Sequence, residues 1–202
     1  MAAAVAVLPA TMEPSPGVEH RPLYLGPWRI DFTTRPGVPR VTSRAVLARA
    51  IGAALDSAGA PRPASVGVIL ADDAELAGLN ATHMDKHGPT DVLSFPLLPP
   101  EAFPVHASAE HSRRIGTSRG VAFALPPGRR LQLGEIVVSV ERAIEQAEAG
   151  RGGQTGDVRW SPADELRLLV THGTLHICGW DHAAPEEEAA MRALEQRLLV
   201  PA

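Results

Sequence analysis

Apolar residues follow two different periods along this chain, and each period predicts a type of secondary structure. Residues 28–34 alternate between apolar and polar, with Trp, Ile and Phe at every second position, which predicts a half-buried strand. After a capping Thr42 or Ser43, apolar residues recur at helical spacing and stop before Gly59, which predicts a helix. Comparable patterns predict strands at 65–70, 91–97 and 131–140 and helices at 72–79, 141–149, 161–178 and 185–199.

The predicted strands and helices do not alternate strictly along the chain. The predicted fold class is therefore α+β, with a small mixed β-sheet and helices packed against it. Residues 1–21 contain several prolines and no periodicity, so we expect a disordered extension, followed by a single domain at residues 22–202. Within this domain, residues 98–130 form a Pro- and Gly-rich insertion that is too long for an ordinary connection and is either functional or disordered.

The composition is that of an ordinary globular protein, since 45% of the 202 residues are hydrophobic and 21% are charged. No run of about 18 consecutive apolar residues occurs, and the apolar start lacks the positive flank of a secretory signal. We therefore expect a cytoplasmic protein with no membrane partner, and the single cysteine, Cys178, suits that compartment. The net charge of −4 argues against non-specific coating of nucleic acid, so any RNA contact needs a local basic surface.

Three histidines near the end of the predicted 161–178 helix have the spacing of a metal site. His172 and His176 lie one helical turn apart and differ by only about 40° around the helix axis, so both can bind one ion. Gly179 can end the helix and turn the chain back, which brings His182 within reach. Three imidazoles without a fourth protein ligand describe an open catalytic site, and the prediction is one Zn²⁺ ion per chain.

Two other interpretations of these histidines compete with a catalytic site. They are core or surface histidines, or they belong to a structural zinc site that Cys178 closes. The helix-ending glycine between the second and third histidine favours metal binding over the first interpretation. On the helix, Cys178 points about 200° away from His176, which disfavours the second interpretation. A catalytic zinc is therefore preferred.

The spacing of the three histidines is also that of the metzincin zinc peptidases. In that class a glutamate directly after the first histidine acts as the general base on zinc-bound water. This chain has Gly173 at that position. Loss of such a proton acceptor typically costs about 10²–10⁴-fold in rate. A zinc peptidase that lacks the usual glutamate base is therefore an alternative function and not the first choice.

Three stretches of the chain carry recognisable motifs. The first is 172–182, with its three histidines. The second runs from Leu79-Asn80 through Lys86 to the sequence PTDVLSFP at 89–96, and the third, at 133–137, includes Glu135. Together they resemble the YbeY family of bacterial rRNA-maturation endoribonucleases, which usually has aspartate at the position of Glu135. The resemblance implies a mixed four-stranded sheet with several helices and a zinc site that opens into a cleft.

The same resemblance implies a function. A member of this family would be a zinc-dependent, single-strand-specific endoribonuclease that acts in maturation of ribosomal RNA, including the 3′ end of 16S rRNA, and in ribosome quality control. His172, His176 and His182 match the family's zinc ligands. The implied partners are single-stranded or ribosomal RNA and proteins of the small ribosomal subunit. A non-catalytic, zinc-containing protein associated with the ribosome is a further alternative.

One position departs from the family pattern. The family commonly has an arginine two residues before the lysine that matches Lys86, and this chain has Met84 there. Methionine cannot form the bidentate contact that arginine makes with phosphate. Either Lys86, His87 or an arginine from the insertion takes over this role, or the activity is reduced. Lys86 is the candidate catalytic residue among them.

Further candidates lie next to the histidines and in the insertion. Asp181 is a candidate catalytic residue that orients an imidazole or handles a proton, and the alternative is a simple turn aspartate. The insertion contains no acidic residue between positions 111 and 130, and it forms either a basic arm for the RNA backbone or a solvated, disordered loop. Its candidate RNA-binding residues are Arg113, Arg114, Arg119, Arg129 and Arg130.

Overall fold

The computed structural model describes residues 18–84, 88–104, 129–150 and 161–199. Within these residues the chain forms five strands, five helices and one short 3₁₀ turn. The strands are β1 (Glu19–Leu25), β2 (Trp28–Thr34), β3 (Ala64–Ala71), β4 (Val92–Pro96) and β5 (Leu131–Ser139). The helices are α1 (Arg44–Ser57), α2 (Asp73–His83), α3 (Val140–Glu148), α4 (Pro162–Ile177) and α5 (Pro185–Leu199), and the 3₁₀ turn is Pro100–Ala102.

One mixed sheet, in the order β1-β2-β3-β5-β4, forms the centre of the fold. β2, β3 and β5 are parallel to one another, whereas β1 is antiparallel to β2 and β4 is antiparallel to β5. The predicted α+β class, with helices packed on a small mixed sheet, is therefore confirmed. The described sheet has five strands, one more than the family resemblance implied.

The first strand corrects the expected boundary of the disordered extension at residue 21. Glu19, His20 and Arg21 belong to β1 and pair with the end of β2, where Glu19 lies opposite Thr34. β1 is an edge strand with mostly exposed side chains. Backbone pairing therefore holds it in the sheet, and this pairing leaves no apolar alternation in the sequence. Residues 1–17 lie outside the described residues.

The helices divide between the two faces of the sheet. α1 and α4 pack against each other and against the face where Trp28, Phe32 and Ile136 are fully buried. Neighbouring residues of a strand point to opposite faces, so Val137 faces the other side. There it packs with Leu76 of α2 in a smaller apolar cluster. The main core therefore lies between the sheet and the α1–α4 layer.

Helix α4 begins and ends at strong local signals. The Ser161 hydroxyl accepts a hydrogen bond from the backbone N–H of Asp164, and the Asp164 carboxylate accepts one from the backbone N–H of Ser161. Pro162 occupies the first turn, where no intrahelical N–H is needed. After the C-cap residue Cys178, Gly179 has φ = +80°, a left-handed conformation that favours glycine and turns the chain. The helix predicted at 161–178 is confirmed as α4 with its two caps.

The second half of α4 approaches the sheet closely at Gly173. A Cβ atom at this position would lie 2.8 Å from Ile136 Cγ2 and 3.1 Å from Ser94 Oγ. The Ser94 hydroxyl donates a hydrogen bond of 3.1 Å to the Gly173 carbonyl. The two metal-ligand candidates of α4 lie on the flank of the helix beside this contact, because His172 and His176 are about 100° and 60° from Gly173 around the helix axis.

Other motif residues anchor the two ends of the connection between α2 and β4. The buried Asn80 donates a hydrogen bond from Nδ2 to the Gly88 carbonyl at 2.8 Å. Asp91 accepts one from Gln146 of α3 at 3.2 Å. The residues on either side of Lys86 are therefore anchored, whereas Lys86 itself lies outside the described residues.

The first residues of the insertion expected at 98–130 are packed against the domain. Leu98 packs against the main core, Pro100–Ala102 forms the 3₁₀ turn, and Phe103 is only 4% exposed. A single buried aromatic side chain after a short turn produces no periodic pattern, so periodicity could not reveal it. Residues 105–128 lie outside the described residues.

Gly173→Ala is expected to lower the free energy of unfolding by about 1–3 kcal/mol, because the new methyl group overlaps Ile136. The matched control is Gly78→Ala in α2, where a Cβ atom meets nothing within 4 Å. That control should raise the free energy of unfolding by about 0.5–1 kcal/mol through helix propensity. Urea unfolding of both variants measures the difference. Equal stabilisation by both alanines would contradict close packing at Gly173.

Candidate metal centre

Helix α4 carries two of the predicted ligands, and the loop after it carries the third. His172 and His176 project from adjacent turns, and their Nε2 atoms are 3.0 Å apart. His182 follows the left-handed turn at Gly179. One ring nitrogen from each of the three histidines lies within 4.8 Å of the other two. The structure thus brings together the three residues that the sequence singled out, in a group that could hold one metal ion.

The outer nitrogens of the two α4 histidines meet oxygen acceptors. His176 Nδ1 lies 2.9 Å from the carbonyl oxygen of Trp180, and His172 Nδ1 lies 2.7 Å from Oε1 of Glu195. A carbonyl or carboxylate oxygen only accepts, so each Nδ1 carries the proton and donates. With both protons on Nδ1, the Nε2 atoms of the two rings face each other. Their lone pairs at 3.0 Å repel unless a cation, either a metal ion or a proton, is shared between them.

The electrostatic surroundings keep His176 neutral. Burial, and then the neighbouring His172 and His182, lower the pKa of His176 to about 4, well under the usual value for histidine. The ring is therefore unprotonated near pH 7, which is the form that binds a metal ion. His182 is the exposed member of the group. The cluster is thus closed on the side of α4 and open on the side of His182.

Cys178 does not join the histidines. It is 1% exposed, and burial raises the pKa of its thiol to about 12, so the metal-binding thiolate is disfavoured. Among the described residues, the group that includes His172, His176 and His182 contains no fourth histidine, cysteine or carboxylate. This arrangement agrees with an open site and disagrees with a structural site closed by Cys178.

Gly173 faces the sheet, not the histidine group. A Cβ atom there would contact Ile136 and Ser94 at 2.8 and 3.1 Å. A glutamate side chain at this position, as in the metzincins, has no room in this packing. The structure therefore weighs against a peptidase that uses a carboxylate directly after His172.

The candidate catalytic residue Asp181 makes a local contact. Its Oδ1 accepts a hydrogen bond of 2.7 Å from the backbone N–H of His182. This contact shapes the loop that presents His182, as expected of a turn aspartate. A catalytic role for Asp181 stays a prediction.

A small cavity adjoins the histidines. Its volume is about 150 Å³, and its lining includes His172 and His182 from one side and Arg192 from α5. Arg192 forms an ion pair with Glu188 one turn earlier on the same helix. The cavity therefore places one guanidinium beside the candidate metal ligands.

The structure locates only part of the predicted RNA-binding set. Met84 is the C-cap residue of α2 and is 51% exposed. Arg129 is exposed, whereas Arg130 donates to the carbonyl of Pro27 and lies 5.7 Å from the ring centre of Tyr24. Arg130 is therefore held against the β1–β2 hairpin. The candidates outside the described residues are Lys86, Arg113, Arg114 and Arg119.

Sequence reasoning missed Glu195. It lies on α5 and contacts His172, although 23 positions separate the two residues. The sequence did contain a signal, because Glu195 is an acidic residue within the apolar stripe that Met191 and Leu194 define. Such a residue is unusual on a buried helix face, because carboxylates are rarely buried without a partner.

Comparison with known proteins decides the family. A sequence model of the family described as Endoribonuclease YbeY matches residues 31–201. The endoribonuclease YbeY of Salinispora tropica is 41% identical over 147 residues, which cover 72% of this chain and 79% of that protein. The chain belongs to the YbeY family. The YbeY of Thermobifida fusca is 35% identical over 173 residues, which cover 84% of this chain and 91% of that protein.

The family resemblance that the motifs indicated is thereby confirmed, and the YbeY match includes the whole histidine group. Among solved structures, a solution structure of a protein from Thermotoga maritima also matches. It is 20% identical, with a TM-score of 0.43, over 78% of this chain and 82% of that chain.

One divalent metal ion per chain is expected to bind, and His176→Ala is expected to abolish stoichiometric binding, because it removes the central ligand. The measurement is elemental analysis after loading and buffer exchange, together with thermal melting with and without added metal. His20→Ala is the matched control, since His20 lies on β1 and is exposed. A wild-type protein that retains no metal, and whose melting does not respond to it, would contradict the metal centre.

Proposed function

We propose that this protein is a zinc-dependent, single-strand-specific endoribonuclease that matures ribosomal RNA, including the 3′ end of 16S rRNA, and serves ribosome quality control. The observation that carries the proposal is the convergence of His172, His176 and His182 in a chain of the YbeY family. Its substrate is single-stranded or ribosomal RNA, and its partners include small-subunit ribosomal proteins. The relatives are known as endoribonucleases, which supports the reaction class.

The chemistry of the donors supports zinc as the metal. All three candidate ligands are imidazoles, which suit zinc, whereas Mg²⁺ and Ca²⁺ prefer oxygen ligands. The Nδ1–H groups of His172 and His176 are already directed to oxygen acceptors, as is usual for zinc-bound histidines. Three nitrogens and an exposed side describe a catalytic centre with an open position.

Different residues would bind the metal ion, orient its ligands and leave one side open to RNA. Zinc, when bound, supplies a water of lowered pKa and a positive charge for the phosphate. His176 stays neutral and buried, and the Trp180 carbonyl fixes its orientation. His182 lies on the exposed side, so the RNA backbone reaches the centre from there. The loop that presents His182 is shaped by the Asp181 carboxylate.

Phosphate recognition requires a cation, because Met84 occupies the place of the family's usual arginine. We assign this role first to Lys86, two residues beyond Met84. Arg192 is a second candidate, since it lines the cavity beside His172. Its ion pair with Glu188 offsets part of its charge, which makes it the weaker candidate.

A cytoplasmic location follows from the proposed substrate. Ribosomal RNA is processed in that compartment, and the one cysteine of the chain is a buried free thiol. None of the helices in the described ranges combines the length and hydrophobicity that a membrane crossing needs.

Purified protein loaded with zinc is expected to cleave single-stranded RNA and to leave duplex RNA intact, as the proposed single-strand specificity requires. Casein should also stay intact, because the site lacks a metzincin-type base. A chelator should abolish cleavage, and zinc should restore it. His176→Ala should be inactive, while His20→Ala should retain wild-type activity. Gel analysis of each substrate separates the hypotheses. Cleavage of casein would favour the peptidase, and bound zinc without any cleavage would favour the non-catalytic protein.

Lys86→Ala is expected to lower the single-turnover rate at saturating RNA by roughly 10²-fold, because a cation that contacts the phosphate stabilises the charge that develops in the transition state. The Arg129/Arg130 double alanine should instead weaken binding and flatten its salt dependence. Met84→Arg should raise the cleavage rate or leave it unchanged. Rates measured across salt concentrations test all three variants. A wild-type rate for Lys86→Ala, with loss of the chemical step in the arginine variant, would reverse the assignment.

A further inference from the structure

Helix α5 contributes a buried carboxylate to the back of the metal centre. Glu195 is 4% exposed, next to the apolar Leu194 and one turn after Met191. Its Oε1 lies 2.7 Å from Nδ1 of His172. Removing a carboxylate from water is costly unless hydrogen bonds and opposite charge compensate for it. A cation near Glu195 would therefore compensate the cost of burying its charge.

The His172 ring connects this carboxylate to the metal site. One ring nitrogen faces Glu195, and the other faces His176 Nε2 at 3.0 Å. A divalent ion on the inner nitrogen would lie across one imidazole from the negative charge. The carboxylate would make the ring a stronger donor to the ion, and the ion would compensate the buried charge.

We propose that Glu195 is a positioning residue of the metal centre, which holds His172 with its Nε2 free for the ion and raises the affinity for zinc. The inference rests on the proposed function, since it requires that His172 is a zinc ligand. Glu195 is distinct from the candidate catalytic residues because it acts through His172, although it also lines the small cavity that His172 and His182 share.

The two histidines of α4 differ in what orients them. His176 is oriented by the backbone carbonyl of Trp180, which belongs to the turn directly after α4. His172 is oriented by a side chain from α5. Zinc binding and the docking of α5 on α4 are therefore thermodynamically linked, and each stabilises the other by the same amount.

The test measures zinc affinity by competition with a chromogenic chelator, in the full chain. Glu195→Gln keeps the size of the side chain and removes its charge, while Glu195→Ala removes the acceptor as well. Both are expected to bind zinc about 10- to 100-fold more weakly than wild type, with alanine the weaker. Glu186→Gln, an exposed change on the same helix, should bind as wild type does.

Two further readouts separate positioning from a purely structural role. The visible spectrum of the cobalt-substituted protein should change in the Glu195 variants, because the ligand geometry at His172 changes. Hydrogen exchange of α5 should slow when zinc is added to wild type, and this response should shrink in Glu195→Gln. A structural role alone predicts lower stability of the metal-free variant with unchanged zinc affinity and an unchanged cobalt spectrum.

The outcomes distinguish this inference from the proposed function. Wild-type zinc affinity and an unaltered cobalt spectrum in both Glu195 variants would overturn the positioning role and leave the zinc nuclease intact. A wild-type protein that binds no zinc would overturn both. Weaker zinc binding in Glu195→Gln, with a metal-free melting temperature near that of wild type, would support the inference, because the variant is then folded.

Discussion

The close contact between α4 and the sheet is the constraint on which the metal centre depends. Gly173 lets the helix backbone approach Ile136, and the Ser94 hydroxyl bonds to the Gly173 carbonyl at 3.1 Å. With that face of the helix against β4 and β5, His172 and His176 must occupy another face. The same contact removes the space in which a metzincin-type glutamate would act. This single contact therefore both positions the candidate metal ligands and weighs against the chemistry of the metzincin peptidases.

The second determinant of the centre is the placement of protons on its histidines. The Trp180 carbonyl accepts a hydrogen bond from Nδ1–H of His176, and the Glu195 carboxylate accepts one from Nδ1–H of His172. The Nε2 atoms of both rings are therefore directed inward. Burial keeps His176 neutral by lowering its pKa to about 4. His172 and His176 form a preorganised pair of nitrogen donors, with His182 as the exposed third. The affinity of such a site depends as much on these outer oxygens as on the three ligands.

The basic surface of this protein is expected to differ from the YbeY family pattern. The family resemblance predicts an arginine at the position of Met84, which stands half-exposed at the end of α2. Two cations of the described chain already have partners, since Arg130 contacts the β1–β2 hairpin and Arg192 pairs with Glu188 at the cavity beside His172. A chain of net charge −4 is therefore expected to recognise a polyanion through a few local positive charges.

The local features of the site can be predicted from the sequence, because they depend on residues that are close neighbours along the chain. The cap at Ser161, the left-handed Gly179 and the one-turn spacing of His172 and His176 follow from helix geometry and are all present. The contacts between residues that are distant along the chain depend on the tertiary structure and could not be predicted. β1 joins the sheet through backbone pairing that imposes no side-chain pattern, and Glu195 meets His172 only because α5 packs on α4. A periodic pattern reports which face of an element is buried, whereas the partner across that face depends on how the whole chain folds.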